Sequence, residues 1–148
     1  MNRSEQKEIH IAAAVITYPA GRVLLLRKRN TIWFMQPGGK IAPHEQAVMA
    51  LIRELKEALN ADFTAGEMSS IGRFTDTAAN EPEHLLVAEM FRVSTEKTRF
   101  LPSAKIEEVI GFDLVNRQAI PLAPLARNHL AAMLARSTPF SSRATTTR

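Results

Sequence analysis

Glu54 and Glu57 are the first residues in this chain whose types and spacing suit chemistry. They fall in a stretch of helical periodicity, where about 100° per residue sets them about 60° apart on one side. Val48, Leu51, Ile52, Leu55 and Leu59 form an apolar stripe on the opposite side that must face a core. Ala47, Ala50 and Ala58 share the side of the glutamates and leave room for something to approach. Just ahead, Pro37-Gly38-Gly39-Lys40 is a turn signal whose glycines let the backbone bend and come close to another group. Clustered carboxylates suit hard divalent cations, and such cations act on phosphates. The helix alone does not demand this, because Arg53, Glu54, Lys56 and Glu57 also suit any solvated face.

The spacing shifts the balance. Gly39, five residues, Glu45, seven residues, then Arg53-Glu54-Leu55-x-Glu57 resembles the signature of Nudix hydrolases, and of MutT-like members in particular. That signature is G-x5-E-x7-R-E-U-x-E-E-x-G-U, with U a bulky aliphatic residue. Gly39, Glu45, Arg53, Glu54, Leu55 and Glu57 match it. Ala58 stands where the second glutamate of the pair is expected, Asn60 replaces the glycine and Ala61 the aliphatic. Asn60 is a mild change, since Asn tolerates the left-handed conformation that ends helices. Ala58 removes a further metal-binding carboxylate one turn beyond Glu54.

The resemblance implies an α/β/α sandwich with a mixed sheet between helices. It also implies a hydrolase that uses Mg2+ or Mn2+ to cleave the pyrophosphate linkage of a nucleoside triphosphate or another nucleoside diphosphate derivative. On it, Glu57 is a metal ligand, Glu54 a metal ligand or the base for water, and a carbonyl of the Gly38-Gly39 turn a further ligand. Gly39 therefore joins the two glutamates in the expected metal set. Arg53 orients the carboxylates, while Gly38 and Glu45 hold the loop and helix in place. A different reading stays open: without a glutamate at 58, the chain is a nucleotide-binding or regulatory module of the same fold with little turnover. Glu83, Glu89, Glu107 and Glu108 are candidates to complete the metal cage, the last two foremost. His10, His44, His84 and His129 show no paired spacing and read as structural or exposed.

Positive charge gathers at Arg27, Lys28 and Arg29, with Lys40 further along. A strand ending there delivers Arg27 and Arg29 towards a phosphate, and Lys40 follows the glycine turn. Phe34 reads as core, and Trp33 is placed to stack on a base. The formal charge is +4, but the bases do not form one block, which disfavours nucleic acid as a main partner. Substrate choice is not legible. Tyr18, the one tyrosine, lies upstream of the signature, Pro82 lies beyond the distance that marks one subgroup, and Asn116 and Asn128 are only candidates for reading a base.

Around the signature, the elements are those of one domain over residues 1–136. Ile9–Tyr18 is an apolar run with too little alternation for a one-faced strand, and it forms a hairpin with Val23–Arg27 across Pro19-Ala20-Gly21. Met68–Phe74, Glu83–Val93 and Ile106–Leu114 read as strands, the second central or nearly so, the third with a bulge at Gly111. Thr75–Pro82 and Ser94–Ser103 read as loops, and Leu125–Ala135 as an amphipathic helix ending at Arg136. Residues 137–148 are low in apolar side chains and are expected to be disordered. Among 148 residues, 45% are hydrophobic and none is cysteine, so a globular core is feasible and disulfides and thiolate metal sites are excluded. The polar start and the lack of a long apolar run point to a cytoplasmic protein with no membrane contact, a monomer or a homodimer.

Overall fold

A computed structural model describes residues 7–18, 21–97, 99–116 and 118–137. Strand β1 (Glu8–Tyr18) is followed by β2 (Arg22–Lys28), β3 (Phe34–Met35), β4 (Gly38–Lys40) and helix α1 (Ala47–Leu59). Then come β5 (Met68–Thr77), β6 (Leu85–Ser94), β7 (Ile106–Phe112) and helix α2 (Pro124–Ser137). The strands make one 7-stranded sheet in the order β3-β2-β1-β6-β5, with β4 also on β1 and β7 also on β2. Only β1 and β6 run parallel. The result is the α/β/α sandwich with a mixed sheet.

The weak alternation of β1 has a direct cause. Ala12, Ala14 and Ile16 pack with Leu51, Leu55 and Leu59 of α1. Ala13 and Val15 pack with Leu125, Leu130 and Met133 of α2. A strand covered on both faces has no polar face to show.

Several sequence expectations change in detail. Gly38–Lys40, read as turn and loop, is a short strand on β1, in register Ala12 with Gly39 and Ala13 with Gly38. The hairpin of β1 and β2 pairs only at Thr17–Val23 and Tyr18–Arg22, because β4 takes the same edge of β1 lower down. Gly111 sits in register opposite Leu24, and the irregularity of β7 lies instead near Glu107, between the partners of Arg27 and Lys28. A second one lies in β5 near Gly72, whose φ is +113°. Thr75–Thr77 continue β5 rather than forming a loop. In α1, Ala50 is fully buried while Val48 and Ile52 are only half-buried. The helix is therefore rotated towards its glutamates, and part of the alanine face packs on the sheet. Pro19-Ala20 of the hairpin turn and the expected tail from 138 to 148 lie outside the described residues.

Helix α1 ends as Asn60 allows. Asn60 takes φ +54° and ψ +37°, and its amide donates to the Lys56 carbonyl. The loop before β7 satisfies two further carbonyls, since Leu101 N donates to Leu59 O at 3.2 Å and Ser103 N to Ala58 O at 2.8 Å. Those bonds bring the start of β7 beside Ala58. Gly38 is pressed between strands, and a Cβ there would lie 2.6 Å from the Ala13 Cα and 2.7 Å from its Cβ. Gly38→Ala should therefore lower stability by roughly 1–3 kcal/mol, the usual cost of overpacking. Urea unfolding measures it, and a midpoint equal to that of wild type would show that β4 can shift freely.

Candidate active site

The site is built where β4, the following loop and α1 meet. Arg53 donates from Nε to Glu45 Oε2 at 3.0 Å and from Nη2 to Glu45 Oε1 at 2.8 Å. Its Nη2 also reaches the Lys40 carbonyl at 3.1 Å, and Nη1 reaches Glu54 Oε2 at 2.9 Å. Glu45 Oε1 in addition accepts the Ala42 amide at 2.9 Å. Hydrogen bonds from Arg53, then from Ala42, hold the Glu45 carboxyl down to about 2. The same carboxylate holds the Arg53 guanidinium above its ordinary value, against burial.

Glu54 lies over Gly39, where a Cβ would press into its carboxylate, 2.7 Å from Oε2. Glu54 and Glu57 line a cavity of about 100 Å³ together with Ala58, Gly38, Leu26, Ile106, Lys28 and Lys105. The glutamates thus meet at one site, and Gly38 lies beside them. Position 58 opens into the same cavity and offers only a methyl group. Among the described residues, no group of three acidic or histidine side chains is placed to hold a metal.

A larger cavity of about 150 Å³ adjoins it, because Lys28 and Gly38 border both. Its walls are mainly apolar and include Ile9, Ile11, Met35, Leu86 and Leu125. Gln36, Asn80 and Glu81 add polar groups, and Gly39 and Lys40 form part of its border.

The other expected residues are placed differently. Arg27 donates to Glu108 at 3.0 Å and 3.1 Å and to the Thr31 carbonyl at 2.8 Å. Arg29 pairs with Glu107 at 3.3 Å and donates to the Ala104 carbonyl at 2.9 Å. These pairs tie β2 to β7 and occupy both the expected phosphate contacts and the foremost spare carboxylates. Glu89 likewise faces Arg73 across the sheet at 2.7 Å. Trp33 is half-buried and lines neither cavity; Met35, two residues on, lines the larger one. His10 is paired with Glu8, His44 is exposed, and His129 meets Asp76 at 3.1 Å.

The sequence reading named Lys28 within the basic cluster but not as a site residue, and it missed Lys105 and Gln36. Lys28 had a signal, since period two along β2 puts it on the face of Leu24 and Leu26, towards α1. Lys105 had none, because a connection far along the chain carries it to Ala58.

Fold and site define an α/β/α domain in which a carboxylate- and lysine-lined cavity opens beside an apolar one. Residues 8–136 match the sequence model of the NUDIX domain, and the chain belongs to the NUDIX family. Among solved structures it resembles the NUDIX domain of Shewanella oneidensis NrtR complexed with ADP ribose, at 16% identity and TM-score 0.72, over 93% of this chain and 94% of that one. It also resembles the MutT protein from Methanosarcina mazei Go1, at 19% identity and TM-score 0.69, over 96% and 98% of the two chains. A bifunctional NMN adenylyltransferase/ADP ribose pyrophosphatase from Francisella tularensis, complexed with AMP and a Mn ion, matches at 12% identity and TM-score 0.70, over 89% of this chain. The chain spans 42% of that protein and 46% of a MutT/nudix family protein from Enterococcus faecalis. At these identities the likeness establishes the MutT-like fold. No curated protein matches the chain.

The Arg53–Glu45 clamp has a pH signature. A carboxyl held below its ordinary value binds fewer protons in the folded chain than in the unfolded one, so it stabilises fully above about 4.5 and loses that contribution as pH falls towards about 2. Glu45→Gln should flatten the fall of melting temperature over that window. An unchanged acid limb would mean that the clamp contributes nothing.

Proposed function

We propose that this chain is a divalent-metal-dependent hydrolase that cleaves the pyrophosphate linkage of a nucleoside triphosphate or another nucleoside diphosphate derivative. One observation carries the reading: Glu54, Glu57, Lys28 and Lys105 line one cavity that adjoins an apolar one. Carboxylates and cations together suit a metal-bound polyphosphate, and the apolar walls suit its organic end.

The donor set fits Mg2+ or Mn2+. It offers only oxygen: the carboxylates of Glu54 and Glu57 and the carbonyl of Gly39, over which Glu54 lies because that position has no Cβ. Magnesium is ordinarily held by one or two carboxylates with water and substrate phosphates, so two glutamates are sufficient. When bound, the metal screens phosphate charge and lowers the pKa of the attacking water. Glu54 takes the proton of that water as its oxygen bonds to phosphorus and the bridging P–O bond breaks. Lys28 and Lys105 stabilise the charge on the departing phosphate. Arg53 does not touch substrate; it fixes Glu54 through Nη1 and is itself fixed by Glu45. Lys40 borders the larger cavity and meets phosphate from the loop side. Arg27, Arg29 and Trp33 serve one layer out, the arginines through their ion pairs with Glu108 and Glu107.

The cavity position of Ala58 favours a second reading, a module that binds nucleotide without turnover. A panel of nucleotides with Mg2+ and with Mn2+, assayed for phosphate and pyrophosphate, separates the two. Binding without product would support the module.

Two variants test the assignment. Glu54→Gln should lower turnover by at least about a hundredfold, as for loss of a general base, with little change in melting temperature. Unchanged turnover would remove Glu54 from the reaction. Gly39→Ala should also silence the enzyme, because the new Cβ displaces the Glu54 carboxylate, while the chain stays folded. Full activity in Gly39→Ala would show that the seat of Glu54 is not needed.

A further inference from the structure

We propose that Gln36 selects the nucleobase: its side-chain oxygen accepts a hydrogen bond from an exocyclic amino group, so the site prefers amino-bearing bases to their keto counterparts. This inference rests on the nucleotide reading above and adds to it a specificity determinant. Gln36 is the one polar or charged side chain that is buried among the described residues, at 6% exposure, and it lines the apolar cavity. That cavity, about 150 Å³, is ten times the roughly 15 Å³ that one water needs.

The orientation of the amide is set from behind. Gln36 Nε2 donates to the Met133 sulfur at 3.1 Å, and Met133 is fully buried in the core under α2. A thioether accepts and cannot donate, so only the amide nitrogen can satisfy it. Oε1 is left as the other end of the amide, and it is not among the buried side-chain atoms that lack a partner, so it keeps open surface. An open carbonyl oxygen in an apolar wall accepts either water or a ligand N–H, and a ligand that offers the N–H replaces the water without losing the hydrogen bond. A keto oxygen in the same place would set two acceptors face to face. Glu81 and Lys40 also line this cavity, and Lys28 lines both this cavity and the carboxylate one. An accepting amide oxygen in an apolar cavity that shares Lys28 with the carboxylate cavity matches a nucleotide that carries an amino group on its base.

The test is titration calorimetry of the full chain with Mg2+ against AMP and IMP, which exchange an amino group beside a bare ring nitrogen for a keto group beside a ring N–H, and against CMP and UMP, which make the same exchange. Wild type should bind AMP over IMP and CMP over UMP by roughly tenfold, the worth of one buried hydrogen bond. Gln36→Leu should bring each pair close to equality by weakening the amino member. Gln36→Glu should keep the preference, since a carboxylate still accepts. Met133→Leu conserves volume but frees the amide to turn, so IMP and UMP should gain. If Gln36→Leu does not fold, the other two variants and the wild-type ratios still decide. Equal binding within both pairs by wild type, or full preference in Gln36→Leu, would overturn the role of Gln36 alone. Failure of all four nucleotides to bind would overturn the role of Gln36, and together with neither binding nor product from the triphosphate and diphosphate panel it would overturn the nucleotide reading as well.

Discussion

One guanidinium fixes the geometry of the site. Arg53 holds both oxygens of Glu45, the Lys40 carbonyl at the end of β4 and one oxygen of Glu54. It thereby joins strand, loop and helix through a planar fork whose donors point in set directions. Lysine has the charge but not the fork. Glu54 is constrained from the other side by Gly39, whose missing side chain is the space its carboxylate uses. A carboxylate fixed by charge on one side and by contact on the other loses little freedom when it meets a cation. That is the form of preorganisation on which electrostatic catalysis depends.

The second constraint is the division of one edge of β1. That edge pairs with β2 at Thr17 and Tyr18 and with β4 from Ile11 to Ala13. Pro37 bridges the two sections through its carbonyl, which accepts the Ala14 amide at 2.9 Å. Lys28 at the end of β2 and Gly38 at the start of β4 border both cavities. The carboxylate cavity lies towards α1 and the apolar one towards α2.

Helix α2 is fixed in register to serve its side of that arrangement. Asn128 and His129 meet Asp76 at 2.8 Å and 3.1 Å, and Arg136 donates to the Ile71 carbonyl while lying over the Phe74 ring. Burial pushes the Asp76 carboxyl up, but hydrogen bonds from Asn128, the Thr77 amide and His129 outweigh it and hold it low. Gly72 leaves space for Arg136, since a Cβ there would lie 2.8 Å from its Nη1. With α2 anchored at both ends, Leu125 and Met133 keep their places in and behind the apolar wall.

Sequence alone determined what depends on local spacing and period. The interval from Gly39 to Glu57 gave the family, the fold and the pairing of Arg53 with carboxylates, because a short glycine segment, a loop and a helix in succession fix relative positions over a short span of chain. The long apolar run of β1 and the strands that became β5, β6 and β7 were legible for the same reason. Tertiary structure decided which cations face the carboxylates. Arg27 and Arg29 were the nearer guess by charge, yet Glu108 and Glu107 across the β2–β7 pairing take them, and Lys28 and Lys105 border the cavity instead. It also decided that Gln36 is a buried amide held by Met133, 97 residues away. Such facts arise from pairing between distant strands and from packing on a distant helix, and no local periodicity carries information about either.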